Sequence, residues 1–110
     1  MNMQEFNILS MQFKCRNQLG ADLLQDHRIR PTAQNFVYNT SVVLIDETIE
    51  LGQTIYAMYR YYQKVIEEVN GHQGTVRLYI THHTKKAREL VLSPSLLQFL
   101  AENKIDLGVD

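Results

Sequence analysis

The stretch that decides the fold is Leu51-Gly52-Gln53-Thr54-Ile55-Tyr56-Ala57-Met58-Tyr59-Arg60-Tyr61-Tyr62-Gln63-Lys64-Val65-Ile66-Glu67-Glu68-Val69. Within it Leu51, Ile55, Met58, Tyr62, Val65 and Val69 step by 4, 3, 4, 3, 4, the spacing that stacks side chains along one side of an α-helix. The stripe predicts one long helix over residues 47–69, about five turns along its apolar side. Asp46 is the expected N-cap, and Glu47 suits the positive end of the helix dipole. Asn70-Gly71 is the expected stop, with Gly74 adding a loose turn. A helix that is apolar on one side only must lie against another element, and the flanking segments read as strands.

Upstream, residues 5–16 alternate. Leu9, Met11, Phe13 and Cys15 fall on one side, and Ser10, Gln12, Lys14 and Arg16 on the other, the period of a half-buried strand. Phe6 and Ile8 carry the opposite phase, which predicts a bulge or a two-sided strand start. Residues 17–27 read as a short helix through Leu19, Leu23, Leu24 and His27, weakened by Gly20 and stopped before Pro31. Residues 35–45 read as a second strand. Its end, Val42-Val43-Leu44-Ile45, is apolar without alternation, which predicts burial on both faces.

Downstream, Val76, Leu78 and Ile80 alternate with Arg77, Tyr79 and Thr81 in a third strand over 75–81. His82 to Arg88 reads as a polar, basic connection and Glu89 to Leu92 as a short fourth strand. Ser93-Pro94 is a cap followed by proline at the first helical position. The helix it starts should bury Leu96, Leu97, Leu100 and Ala101 and end near Asn103. Ile105, Leu107 and Val109 then alternate with Asp106, Gly108 and Asp110 in a closing strand. The order β-α-β-α-β-β-α-β predicts an α+β fold: a mixed or antiparallel sheet of about five strands, with one long and two short helices packed on one face.

At 110 residues the chain reads as one domain, 1–110. Eleven Lys and Arg against twelve Asp and Glu give a formal net charge of -1, which argues against a dedicated duplex-DNA binder. A single cysteine, Cys15, excludes an intrachain disulfide. No charged-then-apolar leader opens the chain and no apolar run approaches the ~18 residues of a membrane span. The expectation is a cytoplasmic protein with no membrane partner.

No motif points to a cofactor or a metal. His82 and His83 stand side by side; neighbours on a strand point to opposite faces and do not easily share one ion, whereas in a loop they could, with His72 joining them across the hairpin. With Tyr79 they are ligand candidates only if they meet in a cleft. Tyr56, Tyr59, Arg60 and Tyr61 leave the core stripe and form a Tyr- and Arg-rich surface of the kind protein interfaces favour; packing over the sheet rim is the plainer explanation. Lys85, Lys86 and Arg88 form a basic segment that could grip phosphates, without the aromatic pattern of a nucleic-acid module. No catalytic residue is assigned: the serines lack a nucleophile elbow, no glycine-rich loop joins a strand to a helix, and the carboxylates stand singly.

Two segments resemble one family. Ala21-Asp22-Leu23-Leu24-Gln25-Asp26-His27-Arg28-Ile29-Arg30-Pro31-Thr32 gives a short helix ending in an Ile-x-Pro-Thr turn. Glu89-Leu90-Val91-Leu92-Ser93-Pro94-Ser95-Leu96-Leu97-Gln98-Phe99-Leu100 gives a capped helix before an Asp-bearing strand. The layout resembles the bacterial domain-of-unknown-function family 4279, with Phe36 or Tyr38 in place of that family's tryptophan. The resemblance implies a bacterial α+β domain and, by association, toxin-immunity or other binding roles; it carries over no catalytic residue. The favoured reading is a non-enzymatic protein-binding module, immunity-type or regulatory, whose partner is another protein or a second copy. The alternatives are a small ligand-binding domain or enzyme using Tyr79, His82 and His83, and a nucleic-acid binder using Lys85, Lys86 and Arg88.

Overall fold

The apolar stripe is helical, and it lies across a sheet. The computed structural model describes residues 6–46, 50–83 and 92–109. In chain order these form β1 (Phe6–Lys14), α1 (Ala21–Asp26), β2 (Arg30–Pro31), β3 (Val37–Asn39), β4 (Val43–Asp46), α2 (Leu51–Gly71), β5 (Thr75–His83), α3 (Pro94–Glu102) and β6 (Ile105–Val109). The fold is α+β, with three helices on a six-stranded mixed sheet ordered β2-β3-β1-β5-β6, and β4 beside β1. All pairings are antiparallel except β5 with β6.

Packing of α2 on β1 and β5 makes the core. Ile55, Met58, Tyr62, Val65, Ile66 and Val69 are buried on the helix, and Leu9, Met11, Phe13, Val76, Leu78 and Ile80 on the strands. The lengths match: 21 residues of helix and nine of strand each span about 30 Å. α1 contributes Leu23 and Leu24 and α3 contributes Leu96 and Leu100 to the same cluster, so all three helices cover one face. No described helix is long and apolar enough to cross a membrane.

Several boundaries differ from the sequence reading, each for a local reason. β1 runs straight, paired residue by residue with β5 from Phe6 to Lys14, so it carries no bulge on that side. The extra residue sits in its other neighbour. Between the pairs Gln12–Asn39 and Leu9–Val43, two β1 residues face three partner residues, Thr40, Ser41 and Val42. The expected single strand 35–45 is therefore split into β3 and β4. Thr40 holds the junction: its hydroxyl oxygen accepts from the Met11 N–H (2.9 Å) and its own N–H donates to the Met11 carbonyl (3.0 Å).

Nor is β4 buried on both faces. Ile45 is buried, but Leu44 is 51% exposed and the adjoining Val42 67%, because helices cover only one side of the sheet. β5 is longer than expected and takes in His82 and His83. Asp46 closes β4, and Glu50 is the N-cap residue of α2. α1 shrinks to Ala21–Asp26, with Gly20 extended at its N-cap. Lys85, Lys86, Arg88 and nearly all of the expected fourth strand lie outside the described residues. α3 begins as read, with Ser93 Oγ accepting from the Leu96 N–H at 3.2 Å. Its buried residues are Leu96 and Leu100, while Leu97 and Ala101 are exposed.

Helix ends defeat a glycine search. Each helix is followed by a non-glycine residue in the left-handed region: Arg28 (φ 53), Gln73 (φ 61) and Lys104 (φ 54). After α2 the Gly74 N–H donates to the Val69 carbonyl (2.9 Å) and the Gln73 N–H to the Asn70 carbonyl (3.4 Å), the two bonds of a Schellman ending. Gly71 therefore lies inside the helix, and Gln73 occupies the position that glycine favours. Gly74 is needed for closeness instead: a Cβ there would fall 2.5 Å from the Lys14 carbonyl oxygen and 2.7 Å from Val69 Cγ1. In urea unfolding, Gly74→Ala should lower stability by about 1–3 kcal/mol. Gln73→Gly should raise it by up to about 1 kcal/mol by relieving the left-handed backbone. Equal midpoints for wild type and Gly74→Ala would contradict the tight approach of α2 to β1.

Candidate functional site

The site follows from the one-sided helix layer, which leaves the other face of the sheet without a described helix over it. Register places Phe6, Ile8, Ser10, Gln12 and Lys14 of β1 on that open face, beside Arg77, Tyr79, Thr81 and His83 of β5. Leu44 and Asp46 of β4 flank Ile8 and Phe6, while Asp106 and Gly108 of β6 flank Arg77 and Tyr79.

The face has two halves. At the polar end, Gln12 Nε2 donates to Asn39 Oδ1 (3.2 Å) and the Tyr79 hydroxyl reaches Gln12 Oε1 at 3.5 Å. The Arg77 guanidinium sits 5.4 Å from the centre of the Tyr79 ring, within cation–π range. Gly108 makes room for that ring: a Cβ there would lie 3.1 Å from Tyr79 Cδ1. These contacts hold Tyr79 down on the sheet. At the other end Phe6 stacks on His83, ring centres 4.6 Å apart, and Ile8 lies between Leu44 and Thr81. Phe6 and Ile8 are half-buried. Their opposite phase in β1 was the sequence signal for this patch; Leu44 escaped because its run gave no alternation to read.

The sheet separates the ligand candidates. Tyr79 and His83 are on the open face, while His82 points to the helix side, where its Nδ1 lies 2.7 Å from Asn7 Oδ1. An amide oxygen only accepts, so Nδ1 carries the hydrogen. His82 Nε2 is buried and has no hydrogen-bond partner. The three residues do not converge on one cleft, and no group of three or more His, Cys, Asp or Glu among the described residues could hold a metal ion.

The tyrosines of α2 divide as well. Tyr56 and Tyr59 meet Phe99 of α3 edge to face, ring centres 4.7 and 4.9 Å apart. The Tyr59 hydroxyl donates to Asn103 Oδ1 at 2.9 Å. Both therefore fasten α3 to α2. Arg60 and Tyr61 remain exposed beside α1, lining an open groove with His27, Lys64 and Glu67. Cys15 lines a separate cavity of about 160 Å³ with Arg16, Leu19, Glu68 and His72. Burial pushes its thiol above the ordinary value, which disfavours the thiolate a nucleophile needs.

Comparison with known proteins identifies no relative. No family model, curated protein or solved structure matches this chain. What the chain can do is therefore read from its own surface.

One titration follows from the packing around Thr40. Burial raises the Tyr62 phenol above its ordinary 10.0, neighbouring Tyr61 adds to this, and a hydrogen bond with Thr40 opposes it. A phenol harder to ionise when folded leaves stability untouched below its unfolded pKa and lowers it as pH rises through the folded value. The stability of the wild type should thus fall, as pH rises above about 10, more steeply than that of Tyr62→Phe, read by urea midpoint. Parallel alkaline limbs would contradict the burial of this hydroxyl.

Proposed function

We propose that this chain is a non-enzymatic protein-binding module, immunity-type or regulatory, whose contact surface is the open face of the sheet. The observation that carries the reading is the cluster of Phe6, Ile8 and Leu44 on a sheet face that no described helix covers. Apolar side chains left together in water, beside an ordered polar region with Tyr79 and Arg77, have the composition of a protein contact: an apolar centre with a polar, hydrogen-bonding border. The resemblance of Ala21–Thr32 and Glu89–Leu100 to family 4279 favours the immunity-type form and a bacterial source.

The face favours protein over nucleic acid because its charges are mixed. Arg77 stands beside Asp106, and Asp46 lies at the far end of the face from Lys14, whereas a phosphate backbone prefers an uninterrupted positive track. An enzymatic reading is weaker because Tyr79, His82 and His83 are divided by the sheet.

The test uses the full chain as bait for the products of its genomic neighbours, followed by affinity measurement on the captured partner. Ile8→Lys with Leu44→Lys should weaken binding tenfold or more, about 1.4 kcal/mol, while circular dichroism stays unchanged. A partner indifferent to that pair but lost on Arg60→Ala with Tyr61→Ala would move the contact surface to the α1–α2 groove and contradict this reading.

A further inference from the structure

The two margins of the sheet are built differently. At one, β2 is two residues long and ends in Pro31, which has no N–H to offer, and the bulge at Thr40–Val42 breaks the line of β3 and β4. Both features discourage edge-to-edge pairing. The other margin is β6, five residues without proline or bulge, paired only with β5 among the described residues. It is a straight strand with one side unmatched by any described strand.

Above that margin the helix layer also stops short. On α3, Phe99 turns toward α2, where it meets Tyr56 and Tyr59, and Leu96 and Leu100 point into the core. Successive residues advance about 100° around a helix. Leu97 and Ala101, four residues apart, therefore occupy the flank away from α2, over the β6 side of the sheet. Leu97 is 44% exposed, as is Val109 at 49% on the end of β6. The sequence reads Leu97 and Ala101 as core positions, yet one copy of the chain leaves them in water.

We propose that a second copy of this chain covers them, by pairing β6 antiparallel with its twin about a two-fold axis perpendicular to the sheet. Directly opposed residues must then share a face, which allows only registers centred on a residue. Centred on Asp106, the strand sets that carboxylate against its own copy. Centred on Gly108, it pairs only Leu107 with Val109 besides Gly108 with itself, too short a ladder within β6. Centred on Leu107, it pairs Leu107 with itself, Ile105 with Val109 and Asp106 with Gly108, with no like charges opposed. The two α3 helices then approach through Leu97 and Ala101, where the small alanine permits close contact. Stable dimers bury roughly 1,200–2,000 Å², more than a five-residue edge provides, and the α3 flank adds apolar area where it is needed. The symmetry is isologous and closes at two copies.

Native mass spectrometry and sedimentation of the full chain at about 100 μM, far above a micromolar Kd, should show twice the 12.8 kDa chain mass. Leu97→Lys with Val109→Lys, both at exposed positions, should return it to one chain mass with unchanged circular dichroism. If the double variant fails to fold, Leu97→Lys alone serves, with at least a tenfold rise in the dimer dissociation constant expected. Hydrogen exchange of the β6 amides should slow as the wild type is concentrated across its dimerisation range. A wild type of single mass at about 100 μM, or a dimer unaffected by these substitutions, overturns the proposal.

Discussion

Everything in this structure depends on one constraint: α2 is apolar on one side only and must bury that side against β1 and β5. Its six buried residues face strands whose own inner residues are nearly all inaccessible to water. Truncating one such side chain to alanine typically costs about 2–5 kcal/mol, against a total stability of about 5–15 kcal/mol for a domain. No hydrogen bond or ion pair on the surface acts on that scale. The topology follows. β4 and β5 both run antiparallel to β1 on opposite sides of it, so the chain must cross over β1 to join them, and α2 is that crossing.

A single helix layer has a consequence for surfaces. The sheet gains one dry face and keeps one wet face, and three helices of unequal length do not reach every margin. Apolar residues that alternate or cluster for burial are then left uncovered by the described elements, among them those around Leu44 and Ile8 on the open face and around Leu97 beside β6. The two exposures differ in character. The first is a patch bordered by a fixed polar array. The second lies along an edge that no described strand pairs, the kind of open edge that native sheets usually protect.

Long periodic features were legible in the sequence because they are local. The stripe of α2 and the Ser93-Pro94 start of α3 need only the 3.6-residue period and a cap; α3 starts where it was read, and the stripe is buried from Ile55 to Val69, though the helix begins at Leu51 rather than residue 47. What depends on a partner was not legible. The bulge at Thr40 exists because β1 supplies two residues opposite three. Gln73 and Arg28 end helices without glycine because the two bonds of the Schellman turn hold a backbone those residues would not choose alone, and at Lys104 the bond from its N–H to the Ala101 carbonyl does the same. Of the candidate site residues, Arg60, Tyr61, Tyr79 and His83 lie on the surface, but Tyr56 and Tyr59 are consumed by Phe99. That packing is visible only once α3 is folded beside α2. The opposite phase of Phe6 and Ile8 was read as a bulge or a two-sided strand start; β1 has no bulge against β5, and the two residues lie on its open face.

The claim that one face of the sheet is packed and the other free is tested most directly by a lysine scan along β5, with stability read by chemical unfolding at every position. The result should alternate. Lysine at Val76, Leu78 and Ile80 should abolish folding or remove at least about 3 kcal/mol, and lysine at Thr75, Arg77, Tyr79 and Thr81 should change stability by less than about 1 kcal/mol. Uniform losses along the strand, or an alternation of the opposite phase, would contradict it.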